Sequence, residues 1–296
     1  WKALTELHLT LAAAHHPSLY RYMLEQLPAL RTLSVAAELQ EEEEEDGDKP
    51  PQQEQEEKQQ GSTKPAAELK ELPVSAGPFN HTAIESILLR NTLGPLVNPP
   101  SMPALKTAAL VGAPSGTVLD LAALFVAAPA LEDLTASNVA VRFSPGREAR
   151  SYCLRVLTVN DFPQEELVAL LQCCPRLSGL YFDSSAPADV KNARVRALLE
   201  LLPGLPCAQT LTGLALYAMP QVWEDYDERP EDWERDTLLL SVLPDLPRLK
   251  WCCIVPLRSE ERKERIRDFY KNTRWMAGRK VRIDEFDFVG PRVPLS

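Results

Sequence analysis

The stretch that decides the fold is LQCCPRLSGLYF, residues 171–182. It ends in three large apolar residues, Leu177, Leu180 and Phe182, in the spacing L-x-x-L-x-L, and Pro175 precedes them. Side chains alternate between the two faces of a β-strand, so Leu180 and Phe182 would lie on one face of a short strand. We call this six-residue spacing the leucine frame and number its positions from the first leucine.

The leucine frame recurs along most of the chain. Its apolar positions 1, 4 and 6 are also found at Leu4/Leu7/Leu9, Leu30/Leu33/Val35, Leu69/Leu72/Val74, Leu105/Ala108/Leu110, Leu131/Leu134/Ala136, Leu154/Leu157/Val159, Leu211/Leu214/Leu216 and Leu249/Cys252/Ile254. A short strand with one apolar face cannot bury that face alone, whereas stacked copies can. The sequence therefore predicts a repeat architecture with one strand in each unit.

A proline stop precedes many of these frames. An apolar residue followed by Pro-x-Leu occurs at 27–30, 102–105, 128–131, 174–177 and 246–249. Upstream lie segments with helix-like patterns, at 18–27, 80–89, 118–128, 164–174, 195–202 and 236–243. Because proline cannot continue a helix and disfavours helix at the residue before it, each unit is interpreted as helix, proline stop and strand. The predicted fold class is α/β.

The adjacent cysteines Cys173 and Cys174 fall inside one of these units. Cys174 shares a helical face with Leu167, Leu170 and Leu171 and takes the apolar place before the proline. Free cysteine commonly acts as a small buried hydrophobe, so the pair is interpreted as packing; a vicinal disulfide or a thiol sensor is the alternative. The six cysteines lack C-x-x-C spacing, which predicts reduced thiols and a cytoplasmic or nuclear protein.

These nine frames and their proline stops, over residues 1 to about 255, resemble the leucine-rich repeat proteins, whose unit is about 20 to 29 residues long. Within them the chain is similar to the irregular, ribonuclease-inhibitor-like arrays of F-box proteins, especially fungal ones. The resemblance implies a leucine-rich repeat solenoid over 1–296, with a curved parallel sheet on the concave side and helices on the convex side. The chain departs from the family at frame position 9, where the usual Asn or Cys is replaced by Phe162, Ser185, Met219 and Leu257.

The resemblance also implies a function. F-box proteins of this type are substrate receptors in ubiquitin ligation: the repeats hold a protein client and the F-box holds a cullin-type ligase adaptor. No F-box is identifiable in these residues; if the protein has one, it lies upstream of Trp1. The alternative is a leucine-rich repeat scaffold for regulation or signalling, unrelated to ubiquitin. Both hypotheses describe a non-enzymatic protein–protein interaction scaffold.

Sequence motifs for catalysis, cofactors or metals are not found. The chain has no Gly-x-Gly-x-x-Gly and no Walker loop, and Ser115 in GAPSG (112–116) is misplaced for a nucleophile elbow. The adjacent His15 and His16 lack the i, i+4 spacing that puts two metal ligands on one helix face. We therefore expect no enzyme and no cofactor. No window approaches the roughly 18 to 20 uninterrupted apolar residues of a membrane helix, so no membrane span is expected.

The net charge of −10 is concentrated in one segment. Residues 40–66 are rich in Glu and Gln and have no large apolar residue, which predicts a disordered acidic loop within the domain. That loop could recruit a basic partner. The region 258–296 begins with a basic stretch, which we interpret as a capping helix followed by a last strand. Binding of nucleic acid by the basic stretch is the less favoured alternative.

The partner-binding face is predicted from the alternation along the strands. Residues that alternate with the frame leucines would face the concave side, and the last three frames place Tyr181, Asp183, Tyr217 and Trp251 there. Aromatic side chains dominate interface energetics, so this C-terminal patch is the candidate client site. The insertion at 221–236 adds the candidate contacts Trp223, Tyr226 and Trp233, since insertions in repeat arrays often bind. Alternatively, these aromatics pack beneath a loop or on the repeats.

Overall fold

The computed structural model describes residues 3–11, 17–37, 80–96, 99–114, 116–144, 151–183, 188–217, 238, 241–253, 264 and 282–284. The strands are β1 Glu6–Leu11, β2 Thr32–Ala37, β3 Ser86–Arg90, β4 Thr107–Val111, β5 Val118–Asp120, β6 Asp133–Ser137, β7 Ala140–Arg142, β8 Val156–Asn160, β9 Gly179–Asp183, β10 Gly213–Tyr217, β11 Trp251–Cys253 and β12 Arg282–Asp284. The α-helices are α1 Pro17–Gln26, α2 Leu121–Ala127, α3 Gln164–Gln172 and α4 Ala188–Leu201. Short 3-10 helices lie at Gly94–Leu96, Leu202–Gly204, Pro206–Gln209 and Leu243–Asp245.

One large parallel sheet organises the chain. Its ten strands lie in the order β1-β2-β3-β4-β6-β8-β9-β10-β11-β12, which follows the order of the sequence. Every neighbouring pair is parallel. The strands β5 and β7 form a separate small parallel ladder. The fold is therefore mixed α/β and repeat-like, as the leucine frames predict.

Each proline stop is a hydrogen-bonded turn. In all five, the N–H of the following leucine donates to the carbonyl of the apolar residue three positions earlier, at 3.0–3.2 Å: Leu30 to Leu27, Leu105 to Met102, Leu131 to Ala128, Leu177 to Cys174 and Leu249 to Leu246. Proline suits the second position of such a turn, because its φ is already fixed near the required value. The motif read from the sequence thus turns the chain into the next strand, and in every unit except the one at Met102 it directly follows a helical segment.

A second set of hydrogen bonds ties each unit to the one before it. The carbonyl of Thr5, at frame position 2, accepts the N–H groups of Arg31 and Thr32 at 2.8 and 3.0 Å. The same link recurs in each following unit as far as the carbonyl of Thr212, which accepts from Lys250 and Trp251 at 2.9 and 3.1 Å. Because every link has the same form, frame position 3 of one strand lies beside frame position 3 of the next.

The turn after several strands uses a left-handed residue. Asn91, Gly112, Asn138 and Asp161 have φ values of 55°, 71°, 55° and 51°, and each occupies position 8 of its frame. Asn, Asp and Gly are the residues that adopt this conformation most readily. The same residue types therefore recur at position 8 because the backbone turns in the same way there.

Frame position 9 carries apolar residues or threonine in these four units: Thr92, Ala113, Val139 and Phe162. Thr92, Val139 and Phe162 are buried. The hydroxyl of Thr92 lies 3.1 Å from the Tyr20 hydroxyl and accepts the N–H of Gly94 at 3.2 Å. Packing against the core thus takes the place of an Asn ladder in this part of the sheet.

Two units differ from the sequence prediction. The helix predicted over 118–128 begins only at Leu121, because Val118–Asp120 forms β5 and Asp120 caps the helix. The helix predicted over 80–89 is wrong, since this segment leads into and forms most of β3. Its frame is Ile84, Ile87 and Leu89, all fully buried. The strands β2 and β4 on either side supply the backbone partners that make a strand more favourable here than a helix. The frame predicted at Leu69/Leu72/Val74, the acidic loop 40–66 and most of the capping region 258–296 lie outside the described residues.

The cysteine pair at 173 and 174 packs into the core. Cys174 is fully buried after α3, and the residues at the same place in other units are buried too: Leu27, Met102, Ala128 and Leu246. Cys173 caps the C-terminus of α3 and is partly buried, and both cysteines are free thiols. Burial raises the pKa of both, and their proximity raises that of Cys174 further, so neither is a thiolate at neutral pH.

Candidate functional site: an aromatic patch on the open face of the sheet

The sheet has one face packed against the core and one face that stays partly open. In β8, for example, Leu157 and Val159 are buried whereas Val156, Thr158 and Asn160 are partly exposed. We call the second face the open face; it consists of frame positions 3, 5 and 7. From β2 to β8 most of its residues are small or polar, among them Thr32, Ser34, Ser86, Thr107, Thr135 and Thr158.

The open face changes character at β9, β10 and β11. Tyr181 on β9 and Trp251 on β11 contact each other across β10, with ring centroids 5.8 Å apart and ring planes inclined at 39°. Both side chains remain partly exposed. Aromatic pairs of this kind stabilise by about 0.5–1.5 kcal/mol beyond the burial of their area. The rings are therefore held by each other and still offer surface to a partner.

Two glycines form the floor beneath these rings. Gly213 lies between Tyr181 and Trp251, and a Cβ there would meet Cε3 of Trp251 at 3.5 Å and the hydroxyl of Tyr181 at 3.8 Å. A Cβ at Gly179 would approach Cε2 of Tyr181 to 3.2 Å and the methyls of Val156 to 3.6 Å. Without side chains at these two positions, the Tyr181 ring lies low over the sheet. We call Val156, Tyr181 and Trp251, with their glycine floor, the aromatic patch.

The phenol of Tyr181 is a neutral hydrogen-bonding group. Burial raises the pKa of its hydroxyl above the ordinary value, so the group keeps its proton at neutral pH. A tyrosine hydroxyl can both donate and accept a hydrogen bond. The aromatic patch thus combines apolar ring surface with one hydrogen-bonding group, the Tyr181 hydroxyl, which is the composition typical of interface anchors.

Carboxylates lie at the rim of the aromatic patch. Asp133 of β6 is exposed and stands beside Val156 in register. Partial burial and the neighbouring Glu132 raise the pKa of Asp133, and Arg155 acts in the opposite direction. Asp183 is partly exposed at the carboxyl end of β9, on the same face. Both acids therefore border the apolar surface.

The structure brings some of the predicted partner-binding residues together, and others lie outside the described residues. It brings Tyr181 and Trp251 together and places Asp183 on the same face. Tyr217 pairs with Asp183 in register at the end of β10, but its side chain lies outside the description. The insertion residues Trp223, Tyr226 and Trp233 also lie outside the described residues.

The sequence interpretation missed the contribution of three residues, Val156, Gly179 and Gly213. A signal for them was present, because consecutive frames carry glycine at position 3 while the neighbouring frames carry Val156 and Trp251 there. Reading that signal requires the register between strands, which the sequence does not contain. The floor of the aromatic patch is therefore visible only in the folded sheet.

The N-terminal ends of the strands form a margin beside the open face, called here the charged edge, and its side chains alternate in charge. Frame position 2 is Arg31, Glu85, Lys106, Glu132 and Arg155 in successive units, and an open polar cleft of about 450 Å³ lies beside the first three. Arg31 approaches Glu85 to 3.7 Å and Arg155 approaches Glu132 to 3.5 Å. Such exposed ion pairs contribute roughly 0–1 kcal/mol each. Because neighbours carry opposite sign, little net charge remains along this edge.

The described residues show no group of three or more His, Cys, Asp or Glu side chains that could hold a metal ion. The buried His81 has a structural role: its Nδ1 accepts the N–H of Ile84 at 3.2 Å, so Nε2 carries the proton and donates to the Leu27 carbonyl at 3.0 Å. Within the same described ranges, no helix combines the length and apolarity needed to cross a bilayer.

No protein-family model matches the chain, and no curated protein matches it. Among solved structures, the chain is similar to a protein from Bacteroides fragilis whose crystal structure comes from a structural genomics programme. The two share 13% sequence identity over 69% of this chain and 67% of that chain, with a TM-score of 0.39. A likeness of that degree says nothing about function, so the function is inferred from the geometry of this chain.

Proposed function

We propose that the chain is a leucine-rich repeat solenoid that binds another protein on the open face of its sheet, without catalysis. The observation that carries this proposal is the aromatic patch, in which Tyr181 and Trp251 pack together over two glycines yet stay partly exposed. Aromatic residues in such half-covered positions are the usual energetic anchors of protein interfaces.

The solenoid part of the proposal is supported by the regularity of the backbone. The strands follow chain order, each neighbouring pair is parallel, and successive units share the same hydrogen-bonded link. In a solenoid each unit contacts only its neighbours, and the small rotation between units creates an extended concave binding surface. The open face would then be the concave face.

A more specific proposal is that the bound protein is a ubiquitin-ligase client. It rests on the resemblance to F-box proteins alone. Affinity capture of the natural full-length protein tests it directly: recovery of a cullin and its adaptor supports the receptor role. Capture without ligase components favours the alternative, a repeat scaffold for regulation or signalling.

The binding proposal is tested by removing the two anchor rings. We expect the double variant Tyr181→Ser/Trp251→Ser to lose at least one bound protein that the unaltered chain retains, in quantitative capture followed by titration of the purified partner. Loss of a central aromatic anchor typically weakens binding by about 2 kcal/mol or more, which is roughly thirtyfold.

The matched control is Thr32→Ala/Ser34→Ala, on the polar part of the same face. It removes two open-face side chains without touching the aromatic patch, so binding should stay unchanged. Circular dichroism and urea unfolding must show that both double variants are folded. Equal binding by the folded ring variant and by the unaltered chain would overturn the proposal.

A further inference from the structure

Frame position 3 forms a row across the sheet, and five neighbouring strands of that row carry the aromatic patch and the acid beside it. Asp133, Val156, Gly179, Gly213 and Trp251 lie side by side in register on β6, β8, β9, β10 and β11. Neighbouring strands are about 4.8 Å apart, so this part of the row is about 19 Å long. Over these five strands it runs from the Asp133 carboxylate to the Trp251 indole, with a low glycine floor under the Tyr181 ring between them. Beyond them the same register continues to Thr107 of β4 on one side and to Arg282 of β12 on the other.

The charge along this part of the open face is negative. Over the described strands β6 to β11, frame positions 3, 5 and 7 include Asp133 and Asp183 but no Lys or Arg. On β12 the equivalent register positions are Arg282, beside Trp251, and Asp284, beside Cys253, so these formal charges offset each other and the sum over β6 to β12 stays negative. At the adjacent edge, Glu132 is paired with Arg155 at 3.5 Å, so those two charges offset each other. An acidic, partly apolar surface attracts a partner of opposite charge and disfavours acidic ones.

Asp133 in particular would gain from a cation beside it. Burial against the sheet and the Glu132 carboxylate both disfavour its charged form, as the raised pKa shows, and Arg155 compensates only in part. The side chain is nevertheless exposed, so a partner can reach it. A basic group placed beside Asp133 would therefore stabilise the charged form of this carboxyl, which burial and Glu132 disfavour.

We infer that the partner of the aromatic patch is a basic protein segment that crosses the strands, with an aromatic or aliphatic anchor on Tyr181 and Trp251 and a Lys or Arg on Asp133. This inference rests on the proposed function and adds the chemistry of the partner. The route across the strands follows from the row, because the acid and the rings are separated across the sheet rather than along one strand.

The row also sets the spacing within the partner. The Tyr181 ring lies over Gly179 and toward Gly213, two to three strand spacings from Asp133, which corresponds to about 10–14 Å. An extended chain advances about 3.3 Å per residue. The basic residue and the anchor should therefore be separated by about three or four positions in an extended segment.

Selection from a random dodecapeptide phage library on the immobilised 296-residue chain tests this inference. Parallel selections use the ring variant Tyr181→Ser/Trp251→Ser and the charge variant Asp133→Asn. Peptides enriched on the unaltered chain and lost on the ring variant should pair an aromatic or aliphatic residue with a Lys or Arg three or four positions away. Synthesised singly, they should bind Asp133→Asn about threefold more weakly, and more weakly still at high salt.

The control variant is Glu85→Gln, which removes one carboxylate from the charged edge away from the row; peptide affinity should not change. Ring-dependent peptides that lack a basic residue, or that bind Asp133→Asn as tightly as the unaltered chain, would overturn the inference while leaving the proposed function standing. If the folded ring variant enriches the same peptides as the unaltered chain, or if none is enriched, the binding face itself is wrong and both proposals fall.

Discussion

The turns after β3 and after β4 contact each other and allow a quantitative test of how neighbouring units are coupled. Asn91 is left-handed, with φ of 55°, and its side-chain Nδ2 donates to the carbonyl of Ala37 at 3.0 Å. Gly112 occupies the same frame position in the next unit, with φ of 71°. A Cβ added at Gly112 would lie 2.6 Å from Oδ1 of Asn91, which is too close for the amide to stay where it is.

The expected cost of Gly112→Ala has two parts. Placing alanine in the left-handed region costs about 1–2 kcal/mol. Displacing the Asn91 amide breaks its bond to the Ala37 carbonyl, which costs about 1 kcal/mol more. In an Asn91→Gly background only the first part remains, because the amide is already gone. The double-mutant cycle should therefore show a coupling free energy of about 1 kcal/mol.

The assay is urea unfolding followed by circular dichroism on the unaltered chain, both single variants and the double variant. The matched control is Gly116→Ala: its φ is 80°, but no atom lies within 4 Å of the added Cβ. It should show the conformational cost alone, with no coupling to Asn91→Gly. Additivity of Gly112→Ala and Asn91→Gly to within about 0.5 kcal/mol would refute the reasoning.

Three further predictions concern buried and charged groups. Burial raises the pKa of the Cys207 thiol to about 11 and also raises that of Cys174. At pH 8 neither thiol should react with Ellman's reagent until urea unfolds the chain, whereas the partly exposed Cys153 should react first. Prompt labelling of Cys174 in the native chain would contradict its packing role. Replacing His81 with Ala removes two hydrogen bonds from buried backbone groups and should lower the free energy of unfolding by about 3 kcal/mol, measured by urea titration; a loss below about 1 kcal/mol would argue against the bonded pair. The pKa of the Asp133 carboxyl is raised in the folded chain, so the native state binds the carboxyl proton more tightly than the unfolded state does. The protonated carboxyl therefore adds stability below its ordinary pKa, and this stability is lost as the pH rises through the folded-state pKa. Asp133→Asn should therefore raise the thermal midpoint slightly at pH 7 and leave it unchanged near pH 3; a lowered midpoint at pH 7 would show that the carboxylate is stabilising.

Much of the sheet was predictable from local spacing. The frames at Leu105, Leu131, Leu154 and Leu177 each lead into a strand whose buried positions are those that the alternation selects, apart from Gly179, which the Tyr181 ring covers. The proline stops were equally clear, because proline constrains the backbone regardless of what surrounds it. These features depend on a few consecutive residues, and so a single sequence is enough to locate them.

The unit at β3 was misread because its spacing is ambiguous. Ile84, Ile87 and Leu88 fit one face of a helix, while Ile84, Ile87 and Leu89 fit the leucine frame. Short apolar runs satisfy both patterns, and the choice depends on the strands available on either side. The parallel register with β2 and β4 settles it, and neither strand belongs to the local segment: β2 lies across a long insertion and β4 lies in the following unit.

The candidate site divides in the same way. The sequence by itself determined the repeat, the α/β class and the face to which Tyr181, Asp183 and Trp251 belong, because the period of two in a strand is a local property. The tertiary structure alone decided that Tyr181 touches Trp251, that Gly179 and Gly213 lie beneath the rings, and that Asp133 lies in the same row. Those relations join residues on different strands, and they arise only when parallel hydrogen bonding brings frame position 3 of each unit into line with the next.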